Sequence, residues 1–234
     1  MDSIRINKYL AEKGYTTRRG ADELIRAGSV LINGRVAVLG DKVGPSDAVV
    51  VAAKATESQE RSRVYYAYNK PVGIVTHGAQ DDDKDIADVV PIAGVFPVGR
   101  LDKDSHGILL LTNDGRITER LLSPTFDHEK EYRVRVKKQL KQSILTRLAK
   151  GVKLEDGYIT KPAETFWDSE YVFRIVLTEG KKHQIRRMVT ACGYEVADLE
   201  RIRIMNVMLG SLASGATRPL TVSERKALLK SLGL

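Results

Sequence analysis

Cys192 is the single cysteine among 234 residues, so no disulfide can form within the chain. Set at an apolar position of helical spacing, such a thiol reads as a small core side chain and not as a nucleophile. No apolar run approaches the roughly 20 residues that span a bilayer. The start, Met1-Asp2-Ser3-Ile4-Arg5, lacks the apolar stretch of a secretion signal, so a cytoplasmic protein with no membrane partner is expected. His77, His106, His128 and His183 are not paired at zinc-ligand spacings, which excludes an obvious metal site. The acidic run Asp81-Asp82-Asp83 reads as a solvated loop tip, not a magnesium site. Internal repeats and low-complexity segments are also missing, and nothing calls for an obligate oligomer, so a monomer is expected.

What the chain has in excess is positive charge. Lys and Arg number 38 against 30 Asp and Glu, a formal charge of +8. Clustered cations gain free energy by releasing counterions from phosphates, so a polyanionic partner is indicated. With 42% hydrophobic residues the chain can bury one large core, or one medium and one small.

Residues 1–51 read as a small module. Ile4, Leu10 and Ala11 point to one amphipathic helix, and Thr17 is placed to cap a second that carries Ala21, Leu24 and Ile25 on one face and ends at Gly28. Val30-Leu31-Ile32 and Val36-Ala37-Val38 then flank Asn33-Gly34-Arg35, an Asn-Gly hairpin signal. Residues 52–63 are polar and poor in β-branched or aromatic residues, the composition of a linker. Residues 64–234 mix strand-like runs (107–112, 131–136, 171–177) with helical ones without regular alternation, which indicates an α+β domain.

Four segments of that second region are candidates for chemistry. Gly99-Arg100-Leu101-Asp102-Lys103-Asp104-Ser105-His106-Gly107 displays one carboxylate, Asp102, on a glycine-flanked loop ahead of the apolar run Ile108-Leu109-Leu110-Leu111. Taken alone, such an Asp is also a common turn residue. Asn69-Lys70-Pro71-Val72-Gly73 is a turn at a strand end, and in Lys130-Glu131-Tyr132-Arg133-Val134 strand periodicity sets Lys130 and Tyr132 on the face opposite Glu131 and Arg133. After Leu177-Thr178-Glu179-Gly180, the stretch Lys181-Lys182-His183-Gln184-Ile185-Arg186-Arg187-Met188 opens a basic amphipathic helix whose apolar face holds Ile185, Met188, Val189 and Cys192.

Together these segments resemble, in order, the signature motifs of the RsuA-like family of bacterial ribosomal RNA pseudouridine synthases. Residues 5–10, 17–22 and 30–34 resemble an S4 RNA-binding domain. Leu199-Glu200-Arg201-Ile202-Arg203-Ile204-Met205-Asn206-Val207 is similar to the RluF-type branch, although its apolar residues alone would explain a core strand. The resemblance implies a small S4-like α/β domain, then a larger catalytic domain with a mixed, largely antiparallel sheet and flanking helices. It implies Asp102 as nucleophile, Tyr132 against the target base, and Arg186 paired with the catalytic carboxylate, which an opposite charge nearby would hold in charged form. It further implies Arg100, Lys70, Lys130, Leu177, Gln184 and Arg187 around the substrate, and Arg5, Lys8, Arg18, Arg19 and Arg26 on an RNA-facing surface.

The expected substrate is ribosomal RNA, the large subunit favoured, as free RNA or an assembly intermediate, with a transfer RNA as a further substrate of that branch. The isomerisation has no redox step and calls for no cofactor. Two other readings fit parts of the sequence: a non-catalytic S4-type RNA-binding or ribosome-assembly protein, which accounts for the charge, and a hydrolase of the same glycosidic bond.

Overall fold

The structure, a computed structural model, describes residues 3–13, 15–16, 18–52, 63–80, 82–123 and 126–234. Thr17, Asp81, residues 53–62 of the expected linker and the side chain of Arg19 lie outside that description. The chain divides into two compact units, Met1–Val64 with Thr112–Glu119, and Tyr65–Leu111 with Arg120–Leu234.

The first unit begins β1 (Ile4–Arg5), α1 (Ile6–Glu12), α2 (Arg18–Arg26), β2 (Val30–Ile32), β3 (Arg35–Val36), β4 (Lys42–Val43), β5 (Val49–Val51). Ile4 departs from the helix expected to contain it. It pairs with Val43 as Arg5 pairs with Lys42, and the helix starts at Ile6, burying Ile6 and Leu10 at proper i, i+4 spacing. Ala21 and Ile25 of α2 meet that face, and Asn7 donates to Asp22 at 2.9 Å to tie the two helices. The Asn-Gly hairpin forms between β2 and β3, with Asn33 at φ 51° and Gly34 at φ 82°. Left-handed backbone at both central residues is what a type I′ turn demands.

From Tyr65 on, in the second unit except for Thr112–Glu119, the chain forms β6 (Tyr65–Lys70), α3 (Ile86–Val89), β7 (Phe96–Val98), β8 (His106–Thr112), α4 (Arg116–Leu122), β9 (Lys130–Val136), α5 (Gln142–Ala149), β10 (Glu164–Ser169), β11 (Val172–Leu177), α6 (Gln184–Ala191), β12 (Val196–Ile204), β13 (Val207–Met208), β14 (Thr217–Pro219), α7 (Val222–Ser231). Its sheet has the order β10-β11-β9-β12-β8-β6-β14, with β13 beside β12 and β7 beside β8. β9 runs antiparallel to both β11 and β12, whereas β12 and β8 are parallel. On one face Val134, Phe173, Ile175 and Leu199 of the strands bury Ile144 and Leu148 of α5 and Ile185, Met188 and Val189 of α6. Cys192 closes that core, as its spacing predicts, and burial raises its thiol pKa. β8, buried from Gly107 to Thr112, is a central strand covered on both sides.

One glycine fixes how closely the central strands approach. Gly107 has φ 107°, and a Cβ there would lie inside contact distance of the Arg201 backbone across the β8–β12 pair. His106, one residue earlier, donates from Nε2 to the Asp198 carboxylate at 3.0 Å and so pins the same register from the other side. Gly107→Ala is expected to destabilise the protein by roughly 2 kcal/mol or more, since it combines positive φ with a backbone clash. Calorimetry should then show a melting temperature about 4–8 °C lower; an unchanged one would mean that the strands separate without cost.

Candidate active site

The loop that carries Asp102 is bonded from outside at nearly every peptide. Thr76 Oγ1 donates to the Leu101 carbonyl at 2.7 Å and accepts the Leu101 N–H at 3.0 Å, in a buried setting. The Gly73 N–H donates to the Lys103 carbonyl at 2.9 Å, and Arg186 Nη2 to the Asp104 carbonyl at 2.8 Å. Arg201 spans both flanks, Nη1 donating to the Arg100 carbonyl at 3.2 Å and Nε to the Ile108 carbonyl at 2.8 Å. Within the loop, Ser105 N–H closes a turn on the Asp102 carbonyl at 3.0 Å. The Asp102 side chain itself stays 37% exposed, open to a substrate. A reactive group presented this way needs no ordering when the substrate arrives.

Beneath the loop lie three cations. Lys70 is fully buried, its Nζ donating to the Pro71 and Ile74 carbonyls at 2.9 and 2.7 Å. Arg201 is 3% exposed, and its Nη2 is buried without a hydrogen-bond partner. Lys130 is half-buried and donates to the His128 carbonyl at 3.2 Å. Among the described residues none of the three has a carboxylate partner. Burial, and then the charge of Arg201, push both lysines down to about 8; for Lys70 the pull of Asp102 and Asp104 offsets part of this. Neighbouring strands hold the group together. Tyr132 of β9 and Gly107 of β8 both stand opposite Arg201 of β12, which puts their Cα atoms about 10 Å apart.

Three residues expected to touch substrate do other work. Lys70 has no surface to offer one, and instead holds the Pro71–Ile74 turn whose Gly73 N–H anchors Lys103. Gln184 is 4% exposed, bonded to the Glu179 carboxylate and accepting the Lys181 N–H at 2.8 Å, so it shapes the turn into α6. Arg187 is held by Glu155 at 2.5 Å and Asp156 at 2.6 Å, which neutralise it. Leu177 is a core residue opposite Lys130. Arg100 is exposed beside Asp102.

Arg186 also departs from expectation. Its guanidinium goes to the Asp104 carbonyl, with Ser105 Oγ at 3.5 Å, and the basic side chain facing the Asp102 carboxylate among the described residues is His183, Nε2 to Oδ1 3.8 Å. His183 adopts left-handed backbone, φ 52°, as the N-cap of α6. Sequence reading missed both His183 and Arg201. A charged residue inside an otherwise buried strand was the available signal for Arg201, because arginine is rarely buried without a task. In the first unit, Arg5, Arg18 and Arg26 are exposed on or beside the paired helices, and Lys8 forms a 3.3 Å ion pair with Glu12.

The chain is similar to known proteins over most of its length. The family described as RNA pseudouridylate synthase matches residues 64–191, and the S4 domain matches residues 4–49. The chain is 43% identical over 230 residues to the "Dual-specificity RNA pseudouridine synthase RluF" of Escherichia coli (strain K12), across 97% of this chain and 79% of that one. It is 37% identical over 236 residues to the "Ribosomal large subunit pseudouridine synthase B" of Bacillus subtilis (strain 168), covering 96% and 95%. A crystal structure of a pseudouridylate synthase superposes with a TM-score of 0.71 at 32% identity, covering 97% of this chain and all of the other. No helix among the described residues is long and apolar enough to cross a membrane.

The buried lysines give the fold a pH signature. Between about pH 8 and 10 the folded protein sheds the Lys70 proton while the unfolded chain, titrating near 10.5, keeps it. The unfolded state then binds more protons, so this group's contribution to stability rises with pH. Wild type should therefore gain on Lys70→Met, by roughly 2–3 kcal/mol, as urea melts move from pH 7 to pH 10. A difference that is flat with pH would contradict a charged, buried Lys70.

Proposed function

The chain belongs to the RNA pseudouridylate synthase family and forms pseudouridine in RNA, and on that premise we propose that Asp102 is its nucleophile and ribosomal RNA of the large subunit its substrate. The observation that carries the assignment of Asp102 is the loop in which neighbouring side chains and amides bond the peptides around its carboxylate and leave that carboxylate open. Family membership sets aside the reading of a protein that binds RNA without acting on it.

The reaction breaks the bond from N1 of uracil to the ribose C1′ and makes one from C5 to C1′. The C5 proton leaves and N1 takes one up, with no net change in composition. Asp102, as nucleophile, divides this into a detachment and a reattachment, two easier steps in place of one. Tyr132 lies against the base and assists departure of the C5 proton, itself or through a water it positions. Lys130 and Arg100 contact the nucleotide. Arg186 acts by holding the loop, and Lys70, Gln184 and Leu177 shape the walls. The uridine must be unstacked and flipped to reach Asp102, at a cost of a few kcal/mol that cationic contacts offset.

Residues 1–51 dock RNA as an S4 domain through Arg5, Lys8, Arg18, Arg19 and Arg26, residues 52–63 connect, and residues 64–234 carry the chemistry. The large subunit is favoured by the name of the Bacillus subtilis relative, and a second RNA substrate by the dual specificity in the name of the Escherichia coli one; a transfer RNA is the second substrate proposed.

Tritium release from 5-tritiated large-subunit RNA tests the assignment. Asp102→Asn should lose on the order of 10³-fold or more in single-turnover rate, with affinity by filter binding within about threefold of wild type; full release would refute the nucleophile. Arg186→Ala should lose roughly 10- to 100-fold through a displaced loop, with an unaltered circular dichroism spectrum. An undiminished rate there would mean that the loop holds Asp102 without it.

A further inference from the structure

A groove of about 550 Å³ runs along the exposed side of α6, between segment 153–155 and the helix positions His183, Arg186, Arg187 and Thr190. These helix positions follow the i, i+3, i+4, i+7 pattern of a single face, so the groove extends about 10 Å from its His183 end. That end adjoins the site, since His183 Nε2 is 3.8 Å from Asp102 and Arg186 bonds the Asp104 carbonyl. The volume lies within the range of pockets that hold a ligand the size of one nucleotide.

The charges along the groove are not all spent. Arg187 is matched by Glu155 and Asp156. Arg186 has only a carbonyl and a hydroxyl as partners, and exposed Lys153 makes no ion pair among the described residues. Apart from the His183 imidazole at the end beside Asp102, the lining has no aromatic ring on which a base could stack; Leu154, Ala191 and the Thr190 hydroxyl complete it. Beyond that end, unspent cations with a hydroxyl and no ring to stack on suit a sugar–phosphate backbone and carry no preference for a base.

We infer that this groove holds the backbone of the nucleotide adjoining the target uridine, its phosphate between Lys153 and Arg186 and its ribose 2′-hydroxyl toward Thr190. The inference rests on the proposed reaction at Asp102. It assigns to α6 a second task besides holding the catalytic loop, and it makes Lys153 a phosphate contact remote from the reacting atoms.

The test uses the full chain and large-subunit ribosomal RNA. Wild type first converts the RNA, and the pseudouridine is mapped by carbodiimide primer extension. Asp102→Asn carrying p-benzoylphenylalanine in place of Thr190 is then cross-linked to the same RNA. The expected cross-link falls within two nucleotides of the mapped uridine. In parallel, Lys153→Gln should flatten the dependence of log affinity on log salt by about 0.7, the loss of one single-strand phosphate contact. Cross-links that are absent or map far from the uridine, or a salt slope equal to wild type, overturn the groove while conversion by wild type leaves the reaction standing. Failure of wild type to convert the RNA overturns both.

Discussion

The site depends on carbonyl groups being bonded by buried cations that have no carboxylate of their own. Arg201 and Lys70 are removed from water, and what they receive in return is the backbone of the loops on either side of Asp102: the carbonyls of Arg100 and Ile108 for one, of Pro71 and Ile74 for the other. Burying a charge is expensive unless its hydrogen bonds are met. Any movement of these loops would leave a cation with fewer partners, so the cost of burial becomes resistance to displacement of the Asp102 carboxylate.

The sheet supplies the frame for that arrangement. Arg201 can reach both flanks of the Asp102 loop because its strand lies between β9 and β8, one bearing Tyr132 and the other growing out of the loop. Gly107 lets β8 come close enough, and His106 with Asp198 keeps the pairing in step. Tyr132, Arg201 and Gly107, far apart in sequence, are thereby set side by side on three adjacent strands. The positive charge accumulated there also suits the site to an RNA nucleotide, whose phosphate and detached base are the anions nearest at hand in the reaction.

Much of this was legible in the sequence where the physics is local. The Asn33-Gly34 hairpin follows from left-handed backbone at two adjacent residues, and the core face of α6 from its helical period. The Asp102 loop stood out because its glycines and charges precede an apolar strand. What failed was decided by partners distant in the chain or hidden in loop carbonyls. Ile4 was drawn out of its helix by Val43, 39 positions on. Lys70, Gln184 and Arg187 had the right composition for touching substrate, yet are taken up by turn carbonyls, Glu179, and Glu155 with Asp156. Arg201 was concealed in a run that apolar neighbours sufficed to explain as core.

The Asp102 loop is held in place before any RNA binds. Hydrogen exchange of the free protein, followed on peptides covering residues 71–76 and 99–106, tests it directly. The amides of Gly73, Leu101 and Ser105 are donors in the loop bonds, and they should exchange nearly as slowly as those of β8. Exchange as fast as that of the exposed residues Lys138 and Gln139 would contradict a preformed loop and would mean that the carboxylate is positioned only by its substrate.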